Sequence, residues 1–225
     1  MATYDLEEQE QLAEIKTWWK QYGNLLLNVL TAVALTVIAW QGWNWYQRNQ
    51  TTQAAMVFSV LQNAVQEKDS QRIKAASGEL LEKFGGTSYA ALGALSTAKA
   101  LIDAGDAKTA KVQLLWVVAN GKDEVRDLAR LRLAAVLLDE KAYDEALKQT
   151  VGSVSSTLEA RFADTRGDIL SAQGKKAEAR AAYQIAIGKL APNAGGDASD
   201  GWQGQSRAVY RELVQQKLDS LGGAK

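Results

Sequence analysis

The residues best placed by type and spacing to move protons are two acidic pairs, Asp139 with Glu140 and Asp164 with Asp168. Paired carboxylates can serve as acid and base, but near neutral pH such work usually recruits an imidazole or thiolate as well. This chain has no histidine and no cysteine. Ser-His-Asp and Cys-His catalysis, imidazole and thiolate metal sites and disulfides are therefore excluded. Gly85-Gly86 and Gly195-Gly196 lack the spacing and the lysine of a phosphate loop. Both acidic pairs lie in stretches of helical periodicity and read as solvated helix faces, so no enzyme activity, cofactor or metal is expected.

Recognition is the chemistry that remains, and its residues recur with a period. Gly105, Lys141 and Gly174 fall at turns 36 and 33 residues apart, and Ala110, Ala146 and Ala179 follow each by five. That is close to the period of a tetratricopeptide repeat, a helix-turn-helix unit that stacks into a solenoid. One unit is clearest, with Gly167, Leu170, Gly174, Ala179, Tyr183 and Ala186 at the small and large offsets of the pattern and Pro192 just beyond. Gly167 and Ala179 allow its two helices a close approach, and Tyr183 fills the space to neighbouring helices. Ala163 stands where a large residue is expected, with Phe162 one place early. Lys141 replaces the usual glycine, which a longer turn accommodates. A more degenerate unit precedes these, with Asp69 placed 36 residues before Gly105. The expected units cover about 54–90, 91–124, 127–158 and 160–193. The polar stretch 193–205 reads as a loop, followed by a capping helix at about 205–221. On that helix Val209, Leu213, Lys217 and Leu221, with Val214 and Leu218 beside them, define the inward face. An irregular helical bundle with accidental alanine spacing is the competing arrangement; both are all-α.

In a solenoid the first helix of each unit lines the groove. Its groove-facing offsets are Leu95, Lys99 and Ile102, then Leu131, Ala135 and Leu138, then Asp164, Asp168 and Ser171. An apolar trough with an acidic end can hold an extended or helical peptide without demanding one sequence. The competing reading of each leucine is plain core packing, the usual fate of apolar residues at helical spacing.

The element that places this domain is Leu25 to Trp45, 21 residues without a formal charge. As a helix it covers roughly the 30 Å of a bilayer's hydrocarbon. Trp18, Trp19, Tyr22, Trp40, Trp43, Trp45 and Tyr46 bracket it as headgroup-level anchors do. A cleaved signal peptide has a short basic leader, whereas five acids and two lysines precede this run. Residues 24–46 therefore read as an uncleaved single-pass anchor in inner-membrane lipid, with 1–23 before it and 47–225 after. Asn28, Thr31 and Thr36 are the polar interruptions in its apolar core and the candidate face toward a partner helix. Leu12, Ile15, Trp19 and Tyr22 make the preceding segment amphipathic, either an interface anchor or a docking helix for a cytoplasmic partner. Lys16 and Lys20 on one side against Arg48 on the other favour a cytoplasmic amino terminus and a periplasmic domain. Residues 47–225 carry 24 bases and 21 acids, nearly neutral and without a basic stripe, so no nucleic acid partner is expected.

In order of parts the chain resembles the YfgM-like family, the ancillary subunits of the bacterial SecYEG translocon. The resemblance rests on EQEQLAEIKTWWKQYG before the anchor, YAALGALSTAKALIDAGDAKTA, LARLRLAAVLLDEKAYDEAL and RGDILSAQGKKAEARAAY. It implies a non-enzymatic inner-membrane adaptor beside the SecYEG translocon. Its periplasmic repeat domain would help pass unfolded secreted polypeptides to periplasmic chaperones, often with a membrane-anchored prolyl-isomerase-like chaperone as partner. A tetratricopeptide scaffold holding one defined folded partner is the alternative.

Overall fold

The computed structural model describes residues 4–191 and 201–222, with side chains from 16 to 191 and from 205 to 222. Every regular element among them is a helix. They are α1 (Tyr4–Gln66), α2 (Ser70–Phe84), α3 (Ser88–Asp103), α4 (Ala107–Asn120), α5 (Asp123–Asp139), α6 (Tyr143–Gln149), α7 (Glu159–Ala172), α8 (Lys176–Lys189) and α9 (Gly201–Ser220). The chain divides into two compact units, Met1–Thr52 and Gln53–Lys225.

In the first unit Leu25, Leu27, Val29, Leu30, Val33, Leu35 and Ile38 are all exposed, as are Trp40, Trp43 and Trp45. An apolar helix with no protein packed around it is made for lipid, not for a core. Among the described residues it is the one helix long and apolar enough to cross a membrane.

The second unit is a row of helical hairpins: the end of α1 with α2, α3 with α4, α5 with α6, and α7 with α8. The paired helices close alanine and leucine faces on one another, and all four turns are built alike. Lys68, Gly105, Lys141 and Gly174 stand in the left-handed region with φ of 55°, 82°, 59° and 76°. The amide of each donates to the carbonyl three residues back, and the next amide reaches five back, Asp106 N to Leu101 O at 2.8 Å and Ala142 N to Leu137 O at 2.8 Å among them. This is the Schellman closure, which satisfies carbonyls that the helix end would otherwise leave bare. Lys141 thus needs no longer turn: it takes the glycine conformation itself. The residue aligned with Gly105 in the first hairpin is Lys68, one place before the Asp69 expected from spacing. Asp69 instead caps α2, accepting from Gln71 N and Arg72 N, as Asp106 caps α4 through Thr109 N.

The main core joins Leu95, Ala98, Leu101, Ala110, Leu114, Val117, Ala129, Leu133, Leu137, Ala146 and Ile169. Ala110, Ala146 and Ala179, the small residues read from the repeat, are fully buried. At Gly167 a Cβ would lie 2.4 Å from the Tyr183 ring, so the close approach of α7 and α8 requires glycine there. Phe162 packs inward with Leu131 and Leu158.

Candidate functional site

The first helices of successive hairpins are neighbours, and their matched positions do different jobs. Arg132 on α5 donates from Nη1 to the Leu95 carbonyl on α3 at 2.9 Å. Leu95 itself is buried in the core, and Leu131 is buried against Leu158 and Phe162. Neither is free to touch a peptide: Leu95 belongs to the main core, and the segment after α6 lays Leu158 and Phe162 over Leu131. Ile102 and Ala135 are exposed and Leu138 is half-buried, while Lys99 is turned to Asp103 at 2.8 Å. The apolar row on this face is therefore Ile102, Ala135 and Leu138, with Lys99 and Asp103 beside it.

A cleft lies farther along, where sequence reading placed none. Helix α6 has 7 residues where α4 and α8 have 14. Its continuation, Thr150-Val151-Gly152-Ser153-Val154-Ser155, is rich in residues that disfavour helix. This segment is tied to α5 instead. Asp127, buried, accepts from Ser155 N at 2.8 Å and from Arg130 Nη1 at 3.1 Å, and Arg130 also donates to the carbonyls of Val151 and Ser153. The Arg130 guanidinium lies over the Phe162 ring at 5.0 Å. Shortening α6 leaves an open cleft of about 590 Å³ between this segment and α7 and α8, with Val154, Phe162, Ala163, Leu170, Ala182 and Ile185 in its wall. Glu159 and Lys189, ion-paired with each other, stand at it with Arg166 and Glu178. The run of poor helix formers after Gln149 was the signal in the sequence.

The acidic end of the face is closed. Tyr210 of α9 donates to Asp164 Oδ2 at 2.8 Å, and Lys217 Nζ donates to Asp164 Oδ1 at 2.9 Å and Asp168 Oδ2 at 2.8 Å. Tyr183 of α8 donates to Asp168 Oδ1 at 2.8 Å, and the Lys217 ammonium stands 5.9 Å from its ring. Burial first, then the hydrogen bond to Asp168, pushes the Tyr183 phenol above its ordinary value; burial and Asp164 do the same to Tyr210. Burial opposes charge on Lys217, but the two carboxylates outweigh it and the ammonium is held above its usual range. The inward face of α9 is thus Tyr210, Val214, Lys217, Leu218 and Leu221. Val209 and Leu213, expected to face inward, are exposed, because turning them in would pull Tyr210 and Lys217 off the carboxylates. The helix also starts at Gly201, earlier than expected, since an established helix extends into polar residues at little cost. Val214 is the one side chain of α9 among those described that is completely buried, contributing about 1.5–3 kcal/mol.

In the apolar helix the Thr31 and Thr36 hydroxyls donate to the carbonyls of Leu27 and Ala32, both at 2.8 Å. They are satisfied within their own helix. Asn28 makes no such bond, nor do Gln41 and Asn44, which follow the apolar stretch 25–40 in which Asn28 lies. Trp19 and Tyr22 are exposed; Leu12 and Ile15 lie outside the described side chains.

An exposed membrane-length helix and helical hairpins closed by four matching turns define a tetratricopeptide-like protein with one membrane-length helix among the described residues. The tetratricopeptide repeat-like domain model matches residues 16–223. The chain is 32% identical over 225 residues to the ancillary SecYEG translocon subunit of Neisseria gonorrhoeae, covering 96% of this chain and 98% of that one. To the protein of that name from Escherichia coli it is 30% identical over 185 residues, 80% of this chain and 87% of the other. The chain belongs to this family of ancillary SecYEG translocon subunits with a tetratricopeptide-like domain. Among solved structures, MamA (residues 41 to end) of Desulfovibrio magneticus RS-1 overlays with a TM-score of 0.48 at 17% identity, covering 76% of this chain and 97% of that one.

Proposed function

We propose that this protein is a single-pass subunit of the bacterial inner membrane that associates with the SecYEG translocon and hands emerging secreted polypeptides to periplasmic chaperones. Residues 1–23 lie in the cytoplasm, 24–46 span the bilayer and 47–225 work in the periplasm, an orientation supported by Lys16 and Lys20 against Arg48. The observation that carries the reading is the pairing of an unpartnered apolar helix with a repeat domain whose exposed row, Ile102, Ala135 and Leu138, and cleft beside Ile185 offer apolar contact, with charged side chains of both signs at their edges. Such surfaces suit unfolded chains. Asn28 supplies the lateral contact, because an amide at bilayer depth is costly without a hydrogen-bond partner. A membrane-anchored prolyl-isomerase-like chaperone is the neighbour we assign on the periplasmic side.

Photo-crosslinking residues placed at Ile102, Leu138, Ile185 and Asn28 in native membranes test this. The expected products are many different secreted chains from the first three sites and translocon subunits from Asn28. One stoichiometric folded partner at the repeat domain would instead make the protein a dedicated scaffold.

A further inference from the structure

The cleft between α7, α8 and the segment after α6 is bordered by groups that the chain itself leaves without partners. That segment is tied to α5 through alternate backbone groups. The carbonyls of Val151 and Ser153 accept from Arg130, and the Ser155 amide donates to Asp127 Oδ2 at 2.8 Å. The amides of Val151, Gly152, Ser153 and Val154 and the carbonyls of Gly152 and Val154 make no hydrogen bond within the chain. Gly152, Ser153 and Val154 line the cleft. Arg130 and Asp127 thus hold a short non-helical edge in place with backbone donors and acceptors open, as a strand at the edge of a sheet presents them. Helices α7 and α8 bring Phe162, Leu170 and Ile185 to the same cleft, together with Arg166 and Glu178, neither of which has an ion pair or hydrogen bond in the chain. The remaining two charges there, Glu159 and Lys189, are paired with each other. A helix satisfies its own amides and carbonyls and would leave the edge at 151–154 bare, whereas an extended chain pairs with it. The free guanidinium of Arg166 favours a carboxylate, and Glu178 in the same cleft disfavours a run of them.

We propose that the cleft binds an extended polypeptide segment by backbone pairing along residues 152–154, with an apolar side chain seated among Phe162, Leu170 and Ile185 and one acidic side chain at Arg166. The proposal rests on reading the repeat domain as polypeptide-binding and gives that reading a mode. Backbone pairing is open to nearly every sequence, so the cleft selects by conformation and by a single acid. Segments already folded into helix or sheet have no free backbone to offer and are passed over.

The probe is a fluorescein-labelled capped peptide, Ser-Glu-Val-Phe-Val-Thr-Ser, titrated by anisotropy against the full chain in lipid nanodiscs. Alternate residues of an extended strand pair with one neighbour and leave the residues between them unpaired, so N-methylation of alternate residues removes the donors of one edge and spares the other. One of the two complementary methylated peptides should bind at least about tenfold more weakly than the unmodified peptide, and the other within about twofold of it. Arg166→Gln should weaken the peptide by about tenfold and leave the version with glutamine for the glutamate unchanged. Arg166 is exposed and unpaired, so this variant keeps its fold. A photo-crosslinker in place of the phenylalanine should label α7 and α8. Equal binding by all three peptides would reduce the cleft to apolar contact, and equal loss in both methylated peptides would mean a helical occupant. Either result overturns the proposal, as does labelling elsewhere, no binding at millimolar peptide, or an Arg166→Gln chain that still prefers the acidic peptide. Secreted chains still captured from Ile102 and Leu138 in native membranes would then leave polypeptide binding intact while this mode falls. Loss of those captured chains alone strikes the underlying reading, because peptide pairing in the cleft is measured without them.

Discussion

The α3/α4 and α7/α8 hairpins share a turn, a register and a small-residue seam, yet their outer faces close by opposite chemistry. Around α3, Leu95 is covered by apolar neighbours and its carbonyl by Arg132 from the next hairpin. Around α7, the same face carries Asp164 and Asp168 and is covered by tyrosine and lysine side chains of α9. Internal repeats can rely on a neighbour of the same kind, so they need only fit; a terminal repeat must be closed by something different. Where closure is apolar it is continuous and insensitive to solution conditions. Where it is polar, a few directed bonds fix the rotation of α9, with Val214, Leu218 and Leu221 packed beside them.

The strongest way to break this contrast lies between the two regions, at the tie that holds the segment after α6. Asp127→Ala leaves Arg130, whose side chain is 12% exposed, and the amide of Ser155 without their shared carboxylate. Breaking one side of a buried pair costs about 3–5 kcal/mol. Thermal unfolding of the variant should show that loss. Hydrogen exchange should show the loop 150–158 loosening while α3 and α4 stay protected. Loosening spread evenly over all hairpins would mean that the two regions are one cooperative block.

Next in size is Gly167→Ala, which drives a methyl into the Tyr183 ring at 2.4 Å. Overpacking of this kind costs about 1–3 kcal/mol. A turn glycine of the other hairpin behaves differently: Gly105→Ala meets open space and strains only a φ of 82°, at about 1 kcal/mol. Denaturant titrations of the two variants should rank them in that order. Equal losses would indicate that Tyr183 moves aside and that the seam of α7 and α8 is less rigid than its geometry.

How much of this was legible in the sequence divides along the same line. Alanine spacing located the seam because Ala110, Ala146 and Ala179 sit where helices touch whatever surrounds them. Gly167 and Ala179 were readable as a close-approach pair for the same reason, whereas Tyr183, expected to fill the space to neighbouring helices, lies over Gly167 within its own hairpin. The apolar helix was readable because its exposure to lipid imposes one composition over its whole length. The outer faces were not, since periodicity assigns a residue to a face without saying what covers it. Leu131 looked like groove until the chain after α6 crossed it, and that crossing depends on Asp127 and Arg130, residues that read as ordinary helix surface. On α9 the apolar residues Val209 and Leu213 outvoted Tyr210, although two hydrogen-bonded carboxylates fix the rotation more tightly than two aliphatic side chains. Lys141 was misjudged because a turn's hydrogen bonds can impose a left-handed conformation on a residue that disfavours it.

Alkaline pH separates the two closures without mutation. Lys217 is raised above 10.5, and Tyr183 and Tyr210 above 10.0, so their protonated forms are bound more tightly in the folded state. Their contribution is complete below about pH 10 and is lost as pH climbs through the higher folded values. Tyr183 and Tyr210 should ionise above the ordinary phenol range in an ultraviolet phenolate titration, and the packing of α9 should loosen as they do. The α3/α4 core, which has no such groups, should persist. Loss of the late phenolate phase would show that the clasp is already open below that pH. At the acid end the order reverses: Asp106, lowered to about 2 chiefly by its hydrogen bond from Lys74, gives its support above 3.8 and loses it as pH falls through about 2.

The smallest expected effect asks whether the shared turn is as interchangeable as it looks. Gly105-Asp106 supplies a residue suited to positive φ followed by a side chain that caps α4, whereas Lys141-Ala142 supplies neither, with Lys141 at a φ of 59° and no side-chain cap on α6. Lys141→Gly should stabilise by about 1 kcal/mol, strain relief exceeding the added freedom of the unfolded chain. Ala142→Asp should add about 1 kcal/mol through the cap. The two changes touch successive residues of one turn, so the double variant measures their coupling as well as their sum. A sum near additivity would mean that the turns of the two hairpins are interchangeable parts and that the difference between the regions lies in their outer faces. A stabilised turn that also lengthens α6 into Thr150 and Val151 would close the cleft beside Ile185, and crosslinking there should fall while crosslinking at Ile102 does not.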